Sequence, residues 1–170
     1  MKKLISEKLP YAEYHYPYAE KINPLLFSFI SSLKIDVPYN GGKKDIRNIT
    51  RWIKNERLYV QNKEVEIISE WIFNILRRDF YCHPGIDLLE LWGLIYKKGD
   101  SHHSHCHPPF LYTFCYYINS PKGSSPLVFS TSKKKFKPEL GKLLIFDARL
   151  FHEIPINKGE FRCVLSGNFL

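Results

Sequence analysis

The sequence predicts an α+β fold in which two helices precede a series of short strands. Apolar residues recur at helical spacing in two segments before residue 80, and this pattern disappears after residue 85. From there onward, short apolar runs alternate with turn-forming residues, which is typical of antiparallel strands. This order indicates separate layers, with the helices packed against a closed or sandwiched β unit.

Residues 1–21 are expected to form irregular or edge structure, because tyrosines separated by prolines suit an extended segment lying over the core. Asn23 and Pro24 then predict the start of a helix, with the asparagine as N-cap and the proline in the first turn. A turn-rich break follows over residues 36–44, which contain an Asn-Gly-Gly sequence.

The second helix is predicted over residues 63–78, where one side is apolar and two arginines suit the C-terminal end of the helix dipole. A His-Pro-Gly sequence at 83–85 ends the helical signal. Five strands are predicted after it. They span residues 88–96, 110–118, 126–129, 142–146 and 161–169.

Length and composition fit a single soluble domain over residues 1–170, in which 1–87 form a helical buttress and 88–170 the β core. We expect a reduced, cytoplasmic protein without membrane contacts. The sequence contains no apolar run of membrane-spanning length and no signal peptide, and its four cysteines lack metal-binding spacing. The net charge of +8 favours solvated loop lysines over a nucleic-acid face, which stays open as an alternative.

The candidate site is a histidine-rich stretch that ends at residue 107, together with one distant histidine. Side chains alternate along a strand, so His105 and His107 should point to one face and Cys106 to the other, toward the core. His152 follows an apolar strand and its loop, and can supply a third imidazole. Neutral imidazole is a common transition-metal ligand, and three protein ligands leave coordination positions open. The pattern predicts a three-histidine metal site.

Arg162 opens the last predicted strand, ten residues after His152. Its permanently charged, forked guanidinium suits a carboxylate held inside a barrel mouth. Each site residue also has a structural interpretation. The tract 102–107 could be a solvent loop, His152 a hydrogen-bonded core histidine, and Arg162 an ion-pair partner of Glu153 or Glu160.

The segment from Tyr96 onward resembles a known family. Tyr-x-x-Gly-x5-His-x-His is followed by a Tyr-Tyr-Ile-Asn strand, and then by Pro-x-x-Gly-x-Leu-x-x-Phe, a histidine and an arginine. This order is similar to that of the Fe(II)- and 2-oxoglutarate-dependent oxygenases, over residues 88–170. The resemblance implies a double-stranded β-helix (a jelly-roll barrel) with the helices against its larger sheet. It also implies hydroxylation of a substrate C–H bond, with O2 and 2-oxoglutarate as co-substrates.

The same resemblance assigns roles to individual residues. The implied ligands of Fe(II), which form the catalytic centre, are His105, His107 and His152. Arg162 is implied to bind the far carboxylate of 2-oxoglutarate. Tyr96 and the strand that carries Tyr116 and Asn119 are implied to line the co-substrate pocket.

One position departs from the family pattern. His107 stands where the family usually has a carboxylate, so the sequence resembles a small branch with a His-x-His-Pro motif. Three neutral imidazoles bring no negative charge to the metal, which leaves its neutralisation to the dianionic co-substrate. Asp100 and Glu153 are the nearest substitute carboxylates in sequence, but neither shares the strand parity of His107.

Two alternatives stay open. A cupin-type three-histidine metal enzyme that does not use 2-oxoglutarate also fits Gly99-x5-His105-x-His107, although the downstream motif residues of that superfamily are absent. A non-catalytic binding module with a basic surface is the other alternative. The sequence does not identify the substrate, which we expect to be a small molecule or a peptide.

Overall fold

Two antiparallel sheets face each other, and two helices pack against the outer face of the larger one. The computed structural model describes residues 9–32, 49–51 and 62–170. Its elements in chain order are β1 (Tyr11–His15), α1 (Ala19–Ser32), β2 (Ile49–Arg51), α2 (Lys63–Asp79), β3 (Leu88–Tyr96), β4 (His102–His105), β5 (Tyr112–Asn119), β6 (Leu127–Phe129), β7 (Lys135–Phe136), β8 (Lys142–Asp147), β9 (His152–Ile154) and β10 (Arg162–Phe169).

The strands form a six-stranded major sheet, β1-β8-β5-β10-β3-β2, and a four-stranded minor sheet, β4-β9-β6-β7. Every paired strand runs antiparallel to its neighbour. This arrangement confirms the predicted α+β class and the double-stranded β-helix. Of the closed or sandwiched β unit that the sequence predicts, the described strands form the sandwiched one, because they make two separate ladders rather than one continuous sheet.

Alternation along the strands divides the core into two parts. On β10, Cys163 and Leu165 pack with the helices, whereas Arg162 and Val164 point between the sheets. One apolar cluster therefore holds the helices on the major sheet, and the other fills the space between the two sheets. The second space contains the candidate site.

Helix α1 begins at Ala19 rather than at Asn23, so the predicted N-cap is wrong. Asn23 is instead a buried tether between α1 and β5. Its Nδ2 donates to the carbonyl oxygens of Tyr117 and Ile118, at 3.2 and 2.9 Å, and its Oδ1 accepts from the Tyr116 hydroxyl at 2.7 Å. The hydrogen-bond partners of this amide all come from the sheet, so local sequence patterns cannot predict them.

Helix α1 also approaches the sheet closely over β3. A Cβ built on Gly93 would lie 2.6 Å from Cγ2 of Ile30, nearer than real side chains come. Glycine at this position lets the helix lie directly on the strand. The back of β3 is therefore in contact with the buried face of α1.

Helix α2 spans Lys63–Asp79, one residue beyond the predicted end, and the side chain of its N-cap Asn62 accepts from the Val65 amide. Strand β1 lies at the edge of the major sheet, as expected for the N-terminal segment. Residues 1–87 thus contribute strands as well as helices, and their grouping with 88–170 as one domain stays a prediction. The predicted break at 36–44 lies outside the described residues.

The buried tether gives a stability prediction. Asn23→Ala removes the donor to two carbonyls and the acceptor of Tyr116, so it should lower the free energy of unfolding by about 2–4 kcal/mol in urea denaturation. Asn74→Ala, at an exposed position of α2, is the matched control and should change it by no more than about 0.5 kcal/mol. Equal stability of the two variants would contradict the tether.

Candidate metal and co-substrate site

A cavity of about 240 Å³ lies between the two sheets. His105, His107, His152 and Arg162 all line it. His105 ends β4 and His152 begins β9, and the two residues are directly paired across the minor sheet. Antiparallel pairing therefore explains how residues far apart in sequence bring their rings together.

His107 reaches the cavity by a different route from the one predicted. Strand β4 ends at His105, so the two histidines do not share one regular strand. The backbone N–H of His107 donates to the carbonyl oxygen of Ala148 at 2.7 Å. The two prolines at 108–109 have no backbone N–H, so they cannot donate hydrogen bonds to a neighbouring strand. Cys106 lines the cavity, contrary to the expected core position, because strand alternation does not continue past His105.

The three imidazoles converge. Their candidate ligand atoms all lie within 4.8 Å of one another, and the ring centroids of His105 and His152 are 4.3 Å apart. Those of His107 lie 4.9 Å from His105 and 5.2 Å from His152. A single divalent metal ion could be bound by such a group of nitrogen donors.

Hydrogen bonds fix the tautomer of two of the rings. Nδ1 of His105 lies 2.9 Å from the His103 carbonyl oxygen, and Nδ1 of His152 lies 3.0 Å from that of Leu150. A carbonyl oxygen only accepts, so each Nδ1 carries the proton and Nε2 is the basic nitrogen. Metal-binding histidines are commonly oriented in this way.

The third ring has an amide neighbour instead. Nδ1 of His107 lies 3.4 Å from Nδ2 of Asn168, which also donates to Oε2 of Glu90 at 2.7 Å. Oδ1 of Asn168 is buried without a hydrogen-bond partner in the described part of the chain. The Asn168 amide therefore links the His107 ring to the Glu90 carboxylate.

Burial keeps three imidazoles of the cavity, those of His102, His107 and His152, neutral. Burial, followed by the proximity of His105, lowers the pKa of His107 to about 3, and the same causes hold the pKa of His152 well below its ordinary value. The pKa of His102 is lowered to about 3, again mainly by burial, and its ring lies 4.0 Å from that of His105. Neutral imidazole is the form that binds metal.

Arg162 is buried, and no carboxylate in the described part of the chain pairs with it. It is fully inaccessible, and none of its three guanidinium nitrogens has a hydrogen-bond partner among the described residues. Its guanidinium carbon lies 4.5 Å from the ring centroid of Tyr96 and 5.3 Å from that of Tyr117. Burial raises the pKa of Tyr96 to about 12, so the phenol is neutral and its ring stabilises the guanidinium by a cation–π contact. The arrangement fits an anionic ligand.

The alternative ion-pair interpretation of Arg162 is not supported by the described contacts. Glu153 faces Lys133, at 3.7 Å, and a carboxylate oxygen of Glu160 accepts from the Lys98 amide at 3.5 Å.

The two carboxylates that were considered as substitute metal ligands lie away from the three histidines. Oδ2 of Asp100 accepts from the amide of Lys97, closing a turn, and Glu153 does not line the cavity.

Two predicted co-substrate residues are not among those that line the cavity. Tyr116 packs against the helices and donates to Asn23, because odd-numbered residues of β5 face the cavity and even-numbered ones face α1. Nδ2 of Asn119 donates to the carbonyl of Phe161. Tyr117 is the residue of this strand beside Arg162, and its hydroxyl is buried without a hydrogen-bond partner among the described residues. Strand parity was the signal that could have identified it.

Sequence reasoning also missed two residues of the cavity wall. Glu90 and Trp92 lie on the face of β3 that carries Tyr96, and the Trp92 ring lies 5.8 Å from that of His107. No motif includes them, and only the parity of β3 relative to Tyr96 points to them.

Comparison with solved structures places the chain in a known fold. A viral collagen prolyl hydroxylase from Paramecium bursaria Chlorella virus-1, in a 2-oxoglutarate complex, aligns with a TM-score of 0.72 at 16% identity over 94% of each chain. The fold is that of the 2-oxoglutarate-dependent oxygenases. No family model and no curated protein sequence matches the chain.

Other structures with the oxygenase fold align similarly. A Trichoplax adhaerens prolyl hydroxylase, in complex with a hypoxia inducible factor peptide fragment, has a TM-score of 0.67 at 16% identity, over 94% of this chain and 83% of that one. HygX from Streptomyces hygroscopicus, with nickel and 2-oxoglutarate bound, has a TM-score of 0.70 at 12% identity, over 96% and 83%. None of the helices in the described residues is long and apolar enough to cross a membrane.

The neutral histidines give a pH prediction for the protein without metal. The folded-state pKa values of His102, His107 and His152 lie below the unfolded value of about 6.5, so the unfolded state binds more protons below that pH. Stability is therefore fully present above about pH 6.5 and should fall toward pH 4.5, by up to about 1.4 kcal/mol per pH unit for each histidine that stays neutral.

Urea denaturation of chelator-treated protein between these pH values measures the effect. His152→Gln should reduce the slope, because one neutral imidazole is removed. His83→Gln, on the exposed loop after α2, controls for the substitution itself. A slope that His152→Gln leaves unchanged would show that this buried ring does not cause it.

Proposed function

We propose that the chain is an Fe(II)- and 2-oxoglutarate-dependent oxygenase that oxidises a C–H bond of a small-molecule or peptide substrate. The observation that carries this proposal is the presence, in one cavity, of three converging imidazoles and a buried guanidinium without a hydrogen-bond partner among the described residues. The first group fits a divalent metal and the second fits a carboxylate. The fold shared with 2-oxoglutarate-dependent enzymes supports the combination.

His105, His107 and His152 would hold the metal. Imidazole nitrogen suits Fe(II), and three ligands leave positions for a bidentate co-substrate and for O2. Because all three ligands are neutral, the metal keeps its full charge until an anionic ligand binds. The site should therefore depend on 2-oxoglutarate for charge balance more than a site with a protein carboxylate does.

Arg162 would bind the far carboxylate of 2-oxoglutarate. A buried, uncompensated guanidinium costs several kcal/mol, and a carboxylate with two-pronged hydrogen bonds offsets that cost. The hydroxyl of Tyr117, also buried without a hydrogen-bond partner among the described residues, can donate to the same carboxylate. Tyr96 would keep the guanidinium in place through its ring.

Together, iron, 2-oxoglutarate and O2 supply oxidising chemistry, in which decarboxylation of the co-substrate to succinate and carbon dioxide accompanies oxidation of the substrate. The protein's own contribution is to orient the co-substrate between the histidines and Arg162, and to exclude water with the apolar wall. Leu94, Leu127, Phe146 and Val164 form part of that wall.

Partners and location extend the proposal. A peptide substrate is supported by analogy with the Trichoplax hydroxylase, which was solved with a peptide fragment. Four free cysteines are consistent with a reducing cytoplasm. Direct binding to nucleic acid is not part of the proposed function.

The deciding test is an anaerobic titration. Adding Fe(II) and then 2-oxoglutarate should produce a metal-to-ligand charge-transfer band in the visible spectrum of the wild type, and His105→Ala should lose it. Iron binding without this band would contradict the proposal and favour a cupin-type enzyme. Absence of iron binding would favour a non-catalytic module.

Arg162→Ala should weaken 2-oxoglutarate binding to the metal-loaded protein by about 30-fold or more, because a buried charge-assisted pair is worth roughly 2–5 kcal/mol. Arg162→Lys should recover only part of the affinity, since lysine has no fork. Calorimetry measures both values.

Arg149→Ala is the matched control, because this arginine is exposed and pairs with Asp147 outside the cavity. Its co-substrate affinity should equal that of the wild type. Unchanged 2-oxoglutarate affinity in Arg162→Ala would remove Arg162 from the binding site.

A further inference from the structure

The cavity contains one carboxylate that the proposed reaction does not use. Glu90 lies on the inward face of β3, which also carries Trp92 and Tyr96. Among the described residues that line the cavity, Glu90 supplies the carboxyl group and Arg162 the guanidinium.

The two charges lie at opposite ends of the same pair of strands. Arg162 pairs with Tyr96 in the ladder between β10 and β3, and Asn168 pairs with Glu90. Six residues separate the two positions on each strand, which corresponds to roughly 20 Å at about 3.3 Å per residue. An anionic co-substrate at the Arg162 end therefore leaves the Glu90 end to a different ligand.

The Glu90 carboxylate is fixed in place. Oε2 accepts from Nδ2 of Asn168, a residue with no accessible surface, at 2.7 Å. The same Nδ2 lies 3.4 Å from Nδ1 of His107, so the carboxylate is held one amide away from a candidate metal ligand.

Trp92 supplies an aromatic wall next to this carboxylate. It is half-buried, two residues along the same strand face, and its ring lies 5.8 Å from that of His107. A carboxylate beside an indole face is the combination that stabilises an organic cation, through an ion pair and a cation–π contact.

The net positive charge of the chain does not oppose this local preference strongly. Most of the described lysines and arginines are exposed, and their field is screened within about 8 Å at physiological ionic strength. Glu90 acts inside the cavity, where screening by salt is much weaker.

We propose that Glu90 and Trp92 form a recognition site for a cationic substrate group, a primary ammonium or a guanidinium at the end of a side chain. This assignment rests on the proposed oxygenase function and names the substrate class of that site. When its cationic group is bound at Glu90 and Trp92, the carbon chain of the substrate would lie alongside His107 and would face the metal.

The test compares two probes of nearly equal shape. Nα-acetyl-lysine methylamide carries an ammonium, and Nα-acetyl-norleucine methylamide lacks it. Calorimetry under anaerobic conditions measures both on the protein loaded with Fe(II) and 2-oxoglutarate. The wild type should bind the cationic probe at least about tenfold more tightly, as expected for a partly desolvated charge pair.

Glu90→Gln should remove this preference. Glutamine can still accept from Asn168, so metal affinity should stay close to that of the wild type and will report an intact site. Glu90→Asp keeps the charge and should keep part of the preference, which covers the case that Glu90→Gln does not fold. Glu153→Gln is the matched control, because Glu153 lies outside the cavity beside Lys133.

Equal affinity of the wild type for the two probes, binding of neither, or a preference that survives in Glu90→Gln overturns the inference. Measuring 2-oxoglutarate binding in the same samples separates this result from a failure of the proposed function. If 2-oxoglutarate binds but the preference is absent, only the inference fails. If the wild type does not bind 2-oxoglutarate, the proposed function fails.

Discussion

The buried charge of Arg162 constrains the interior of this protein. Arg162 sits between the two sheets without a hydrogen-bond partner among the described residues, and the aromatic rings of Tyr96 and Tyr117 compensate for only part of the lost hydration. Such a residue is stable only in a scaffold that is rigid on all sides. The major sheet, backed by two helices, provides that scaffold, and the cavity beside the guanidinium is where a compensating anion can enter.

Strand parity determines what faces this interior. On β3, β5 and β10, one set of alternating residues packs with the helices and the other faces the space between the sheets. The minor sheet contributes His105 and His152 from directly paired positions, so two of the three imidazoles are placed by backbone hydrogen bonds. The polar groups of the site are thus fixed by ladders, while the apolar wall keeps their electrostatic interactions strong.

Much of this could be predicted from the sequence. The bounds of β3 and, to within one residue, those of α2 follow from periodicity, and the histidine trio follows from spacing and family resemblance. The rest depends on tertiary contacts. Asn23 resembles a helix cap until β5 supplies its partners, and Tyr116 resembles a pocket residue until the parity of β5 relative to the helices is known. Register between distant strands is not a local property, so no local pattern reveals it.

The contact between Ile30 and Gly93 has a consequence for how the protein can diversify. Because α1 lies directly on the back of β3, the strand that carries Trp92 and Glu90 cannot shift without displacing the helix. Ligand preference should therefore evolve mainly by replacement of side chains on the inner face of this strand. Changes in the shorter strands and loops of the minor sheet are the other route. The backbone of the major sheet would be inherited nearly unchanged among descendants that act on different molecules.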